Sequence, residues 1–189
     1  DFTDEEWNTM KSMQIVMLMN SISDESSKIL ASRYLRPIVE MMKKKAGINY
    51  NATVTAPYGD SKMILFSSHD LQVSHILKLL APENLNLTFV DYASNIFIEL
   101  HHEQRAYCQS ESTASNCYYV SVIYNGQKLH LPGCFGDTCH LGNFLSYFES
   151  RAYTYEEMQE VCYSNGATMD VYKQTGYSLR KLFKMLISR

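Results

Sequence analysis

The stretch SKMILFSSHDLQVSHILKLL, residues 61–80, changes its hydrophobic period in mid-course. Met63-Ile64-Leu65-Phe66 is a continuous apolar run, so Lys62–Ser67 is predicted as a short strand buried on both faces. After Asp70, the apolar residues Val73, Ile76, Leu77 and Leu80 fall at i, i+3, i+4 and i+7. That spacing is one face of a helix ending near Pro82. A buried strand that turns directly into an amphipathic helix points to an α/β chain, and His69 and Asp70 stand at the turn.

The rest of the chain agrees with that class. The stretch SDESSKILASRYLRPIVEMMKKKAG, residues 23–47, starts acidic and serine-rich and ends in Lys43-Lys44-Lys45 before Gly47, which suits a helix and its dipole. Pro37 inside it predicts a kink or two shorter helices, and the lysine run reads as a solvated last turn. NYNATVTAPYGDS reads as a loop. Ile96, Ile98 and Leu100 alternate with Phe97 and Glu99, the pattern of a strand. Tyr118–Tyr124 is β-branched and aromatic, and Asn125-Gly126 supplies a type I′ turn before Lys128–Leu131 returns as a hairpin. Leu141–Phe148 and Tyr155–Cys162 read as helices. Leu179, Leu182, Phe183 and Leu186 with flanking Arg180, Lys181 and Lys184 form a short basic amphipathic helix, read as docking on the parent domain or a partner.

A formal net charge of −3 offers no basic field for nucleic acid. No stretch approaches the ~20 apolar residues of a membrane span, and DFTDEEWNTM has neither the n-region nor the h-region of a signal peptide. The five cysteines, Cys108, Cys117, Cys134, Cys139 and Cys162, are spaced as short loop staples rather than as C-x2-C zinc pairs. Asn51-Ala-Thr and Asn86-Leu-Thr are glycosylation sequons. Together the cysteines and the two sequons favour an oxidising lumen or the outside of the cell.

Two readings of Ser68-His69-Asp70 stand side by side. Asp is a favoured N-cap residue, and capping alone accounts for it locally. Equally, ligands of open α/β sheets bind where strands end and helix N-termini present N–H groups to anions. There, an imidazole can donate to a phosphate oxygen, and a protonated carboxyl can donate to a departing alkoxide. General-acid help of this kind is worth roughly 10²–10⁴ in rate.

MILFSSHD, then VDYASNIFIELHH, then YYVSVIYNGQKLHLPGC with a nearby second cysteine, occur in one order along the chain. This series resembles the C-terminal half of the histidine acid phosphatases, in the branch with lysosomal and prostatic-type enzymes. The resemblance covers about residues 25–162, and its specific part lies in 63–139. It implies a mixed central sheet flanked by helices with a helical cap region, incomplete in this chain. Residues 1–50 would be the cap region, 51–162 the C-terminal part of the core, and 163–189 a tail.

The same resemblance implies hydrolysis of phosphomonoesters, without a metal or other cofactor, through a phosphohistidine, best at acidic pH and in a lysosomal or secreted, extracellular setting. His69 would contact the phosphoryl group and Asp70 would protonate the leaving alcohol. The family's RHGxRxP segment, which supplies the nucleophile and phosphate-clamping arginines, is absent here; Arg33, Arg36, Arg105 and Arg151 stand in no such context. The expected partners are therefore a phosphomonoester and the missing N-terminal half of the fold, with oligomerisation left open. Cys134 and Cys139 match the family's small loop disulfide, although FGDT between them is one residue longer than expected. Cys108 and Cys117 flank an inserted QSESTASN and are expected to pair. Cys162 matches a cysteine whose partner lies in the N-terminal half. Leu71-Gln72 departs from the family, which carries Thr or Asn there, and keeps open the alternative of an inactive binding or structural subunit.

Other candidates carry less. His101-His102 with Glu103 lack a third ligand at metal spacing, and neighbours on a strand face opposite ways. His75 reads as a packed or surface residue on its helix. His130 and His140 carry no signature, and Glu99 reads as paired or at a strand edge.

Overall fold

The computed structural model describes residues 2–21, 23–87, 90–103, 108 and 117–163, with the backbone alone over 14–21. The chain divides into two compact units, residues 1–152 and 153–189. The predicted tail helix at 179–186 lies outside the described residues.

The first unit is mixed α/β. Helix α1 (Asp4–Ser21) opens on a capping box: Thr3 Oγ1 accepts from the Glu6 amide, and the Thr3 amide donates to Glu6 Oε2 at 2.8 Å. Helix α2 (Asp24–Lys45) is capped by Ser23, whose hydroxyl accepts from the Ser26 amide. It leaves through Ala46 and then Gly47 at φ +67°, a conformation that favours glycine. Pro37, where the sequence predicts a kink or two helices, lies inside one unbroken α2. Tertiary packing overrides the missing N–H there, because Ala31, Leu35, Val39 and Met42 are all buried in the core on either side of it.

The predicted loop at 49–61 is instead helix α3 (Ala52–Thr55) running into a 3-10 turn over Ala56–Tyr58. Asn51 starts it by accepting from the Thr53 and Val54 amides, while its own amide donates to Glu40 Oε2 at 2.5 Å. The lysine run is also more engaged than a solvated turn. Lys43 bridges Glu40 and Glu149 at 2.9 and 3.1 Å, and Lys44 reaches Gly59 O and Asp60. Burial opposes the Lys43 charge, but these two carboxylates outweigh it and hold the ammonium above its ordinary value.

Helix α4 (Asp70–Leu80) packs its Leu77 and Leu80 with α2 and the sheet. The sheet is antiparallel. Strand β1 (Ile96–His102) pairs along its whole length with β2 (Tyr118–Tyr124), from Ile96 opposite Tyr124 to His102 opposite Tyr118. On the far side of β2 lie β3 (Gln127–Lys128) and β4 (Cys139–His140). The hairpin turns at Asn125 and Gly126, φ +48° and +82°, the two positive values that a type I′ turn requires. Val120, Val122 and Tyr124 face the core, where the parallel rings of Phe144 and Phe148 from α5 (Leu141–Arg151) lie 6.4 Å apart.

The C-terminal end of α4 is held from α5. Arg151 Nε donates to Leu79 O at 2.6 Å and Tyr147 Oη to Leu80 O at 2.8 Å, while the Arg151 guanidinium lies over the Tyr147 ring. Arg36 from α2 is 6% exposed; it donates to Glu149 at 2.9 Å and to Ala152 O, and stacks over Phe148. Burial pushes the Glu149 carboxyl up, but Arg36 and Lys43 together hold it below its ordinary value.

In the second unit, α6 (Tyr155–Tyr163) begins with a second capping box: the Thr154 amide donates to Glu157 at 2.7 Å, and the Glu157 amide donates to Thr154 Oγ1.

Candidate active-site edge

The buried strand predicted over Lys62–Ser67 is not present. Residues 63–69 are non-helical and pair with no strand, and Met63 and Leu65 are 75% and 82% exposed. Burial on both faces needs chain on both sides, and no described residues lie there to pair with it. The correction concerns pairing; the handover to a helix at Asp70 stands.

Two contacts bracket His69-Asp70. Before it, the Phe66 ring meets the Tyr34 ring edge-on at 5.7 Å. After it, Gln72 Nε2 donates to Leu30 O at 3.2 Å. Leu30 and Tyr34 are four residues apart on α2 and so share one face, a single turn from each other. Residues 66–72 therefore arch from that turn of α2 and back to it, and His69 and Asp70 stand in the middle of the arch, both exposed.

The local chemistry follows from the helix start. His69 is the N-cap, extended at φ −104° and ψ 164°, and its carbonyl accepts from the Gln72 and Val73 amides. Its ring takes no part in capping. Asp70 is inside the helix rather than at the N-cap; its Oδ1 accepts from the Leu71 amide at 2.8 Å. Asp70 is thus not the N-cap itself, although its carboxylate still satisfies one amide of the first turn. A free imidazole and a carboxyl at the positive end of an eleven-residue helix are a place where an oxyanion and a proton donor can meet.

The positive charge that a phosphate dianion needs is scarce here. Arg36 is committed to Glu149, and Arg151 to the carbonyls of α4. Arg33 is exposed, and the chain's other arginines lie outside the described residues. Among the described residues, no group of three or more His, Cys, Asp or Glu could hold a metal ion. None of the described helices is long and apolar enough to cross a membrane.

A family model described as the histidine phosphatase superfamily (branch 2) matches residues 2–125. The chain belongs to this superfamily. The match takes in the arch and the β1–β2 pair, and phosphatase-type hydrolysis is the activity that histidine phosphatase membership suggests. No curated protein and no solved structure matches the chain.

The remaining sequence candidates are placed as follows. Cys108 is bonded to Cys117, and Cys134 to Cys139; Cys162 is free and exposed. Asn51 and Asn86 are exposed. His101 pairs with Glu99 at 3.0 Å and stacks on Tyr119, while His102 packs on Tyr118, so the two histidines are separated as strand neighbours are. His130 pairs with Asp137 at 2.8 Å. His75 is buried, with Nδ1 3.2 Å from Ser27 Oγ, and burial together with the Lys78 charge holds it below its ordinary value. Sequence reasoning missed Leu30 and Tyr34. They carry no local signal, since only the return of residues 66 and 72 to one turn of α2 brings them to the site.

Proposed function

We propose that this histidine phosphatase chain supplies the His-Asp half of an acid phosphatase centre of the lysosomal and prostatic type. The other half, an RHGxR segment carrying the nucleophilic histidine and the clamping arginines, belongs to further polypeptide that pairs with Met63–Ser68 and can bond to Cys162. The observation that carries the reading is the arch: an unpaired apolar segment ends in an exposed imidazole and carboxyl at a helix N-terminus. Two disulfides and the exposed Asn51 and Asn86 support an oxidising lumen or the cell exterior.

In this scheme, His69 donates to a phosphoryl oxygen. The nucleophilic nitrogen forms a bond to phosphorus as the ester P–O bond breaks, and the Asp70 proton goes to the departing alkoxide, giving the alcohol. Asp70, now a carboxylate, takes a proton from water as that water's oxygen attacks phosphorus. The P–N bond then breaks, releasing inorganic phosphate with both side chains restored. A second reading, an inactive binding subunit, is favoured by Gln72, whose amide is committed to Leu30 O instead of facing the pair.

The test is turnover of a generic phosphomonoester at acidic pH by the complete gene product and its Asp70→Asn variant. A fall in kcat of roughly 10²–10⁴ is expected, with phosphohistidine still formed and trapped by an alkaline quench, in which its P–N bond survives. Unchanged turnover would remove Asp70 from the mechanism, and no turnover with no label would favour the inactive subunit.

A further inference from the structure

We propose that His75 is a positioning residue for the reaction: its buried bond to Ser27 sets the register of α4 on α2, and with it the place of the His69-Asp70 pair. This rests on the phosphatase reading and adds a residue to the machinery of that site. Three polar contacts join the two helices. Gln72 Nε2 donates to Leu30 O at 3.2 Å, His75 Nδ1 lies 3.2 Å from Ser27 Oγ, and Lys78 Nζ lies 3.1 Å from Asp24 Oδ1. Each step of three residues along α4 is matched by a step of three back along α2. The helices therefore run antiparallel, and the three rungs share one register.

The rungs are unequal. The Asp24 side chain is 89% exposed, and an ion pair open to water fixes little. The Gln72 bond also lies at the surface. Ser27 and His75, by contrast, are 2% and 6% exposed. The Ser27 hydroxyl gives its one proton to Ser23 O at 2.9 Å, so the His75 bond is made by an Nδ1 proton and leads on to the cap residue of α2. The core residues of the two helices, Ala31 and Leu35 on α2 and Leu77 and Leu80 on α4, attract without direction. A slip of one turn, about 5.4 Å, can exchange one such contact for another, but it leaves a buried imidazole without its partner. That is how a buried polar group selects one packing among several. Asp70 begins α4, and a helix carries an axial shift along its whole length, so the same slip moves the carboxyl out of reach of the ester oxygen.

The experiment measures kcat/KM for ethyl phosphate and p-nitrophenyl phosphate at acidic pH with the complete gene product. Ethoxide needs the proton of Asp70 to depart, whereas p-nitrophenolate needs little help. His75→Leu is expected to lose ~10-fold on ethyl phosphate at nearly constant KM, and less than ~3-fold on p-nitrophenyl phosphate. His75→Asn, whose amide nitrogen can stand where Nδ1 does, should keep most of the native value. The decisive variant joins Ser27→Ala to His75→Leu. It leaves no buried polar group unpaired at this rung, so its urea midpoint should return to the native value while ethyl phosphate turnover stays low. Recovery of turnover together with the midpoint shows a purely structural bond and overturns the proposal. Equal losses on the two esters overturn it too, and so does a double variant that fails to fold, since the bond then holds the fold rather than the register. In each of these cases the phosphatase reading stands. Absence of turnover of both esters by the native protein, with no phosphohistidine, overturns that reading and this one with it.

Discussion

Replacing Arg151 with leucine tests how α4, and with it the arch, is held. Arg151 Nε donates to the carbonyl of Leu79 at 2.6 Å, and Nη2 reaches Lys78 O at 3.5 Å. Leu79 is buried, so its carbonyl has little water to turn to once the guanidinium is gone. A charge-assisted bond of this kind contributes ~1.5–3 kcal/mol. A cation at a helix C-terminus adds ~0.3–1, and the face of Tyr147 ~0.5–1. These terms share one side chain and are not additive, and Arg151 is only half-buried. The expected loss is therefore about 2–3 kcal/mol, read as a shift in the urea midpoint at constant slope.

Tyr147→Phe, which removes one neutral bond to Leu80 O, should cost ~1 kcal/mol. The two substitutions should couple, because the guanidinium sits on that ring. Arg151→Lys should recover only part of the loss, since an ammonium lacks the planar fork. A loss below ~0.5 kcal/mol for Arg151→Leu would mean that the α4 carbonyls are satisfied without α5. The claim that α5 fixes the far end of the helix bearing Asp70 would then fail.

Two further outcomes follow from groups described above. His75 is held below its ordinary value in the fold, so the unfolded chain takes up its proton first as pH falls. The His75 contribution is full above about pH 6.5 and shrinks as pH drops below that. Urea midpoints at pH 7.5 and 5.0 should separate more for the native chain than for His75→Gln; equal separations would show that His75 does not titrate differently on folding. Leu65→Thr should change the stability of the 189-residue chain by no more than ~0.5 kcal/mol, because Leu65 is 82% exposed. The same change should weaken the complete gene product by more. A loss above ~1 kcal/mol in the 189-residue chain would show that the segment is already packed.

What the sequence revealed was whatever its neighbours in sequence decide. The Asn125-Gly126 turn, the α4 stripe from Val73 to Leu80 and the acidic, serine-rich start of α2 are local, and each appears where its pattern places it. Residues 63–67 failed for the opposite reason: four apolar residues in a row announce burial without saying what will bury them. Pro37 and Lys43 mislead similarly, since their surroundings include core packing and Glu149, more than a hundred residues away from either. The α3 turn did carry a local signal, the Asn51 side chain that accepts from the Thr53 and Val54 amides, but one turn of helix is too short to stand out among loop-forming Asn, Pro and Gly. At the site, the dipeptide was legible as a motif; its apolar surroundings on α2 were not, because they depend on the arch.

Strand β1 has β2 as its sole ladder partner among the described residues. Among the described residues nothing pairs with its other margin, whose amides and carbonyls an extended chain can complete. The expected outcome is concentration-dependent self-association of the 189-residue chain in sedimentation, reversed by a peptide able to zip onto β1; a monomer at every concentration would refute it.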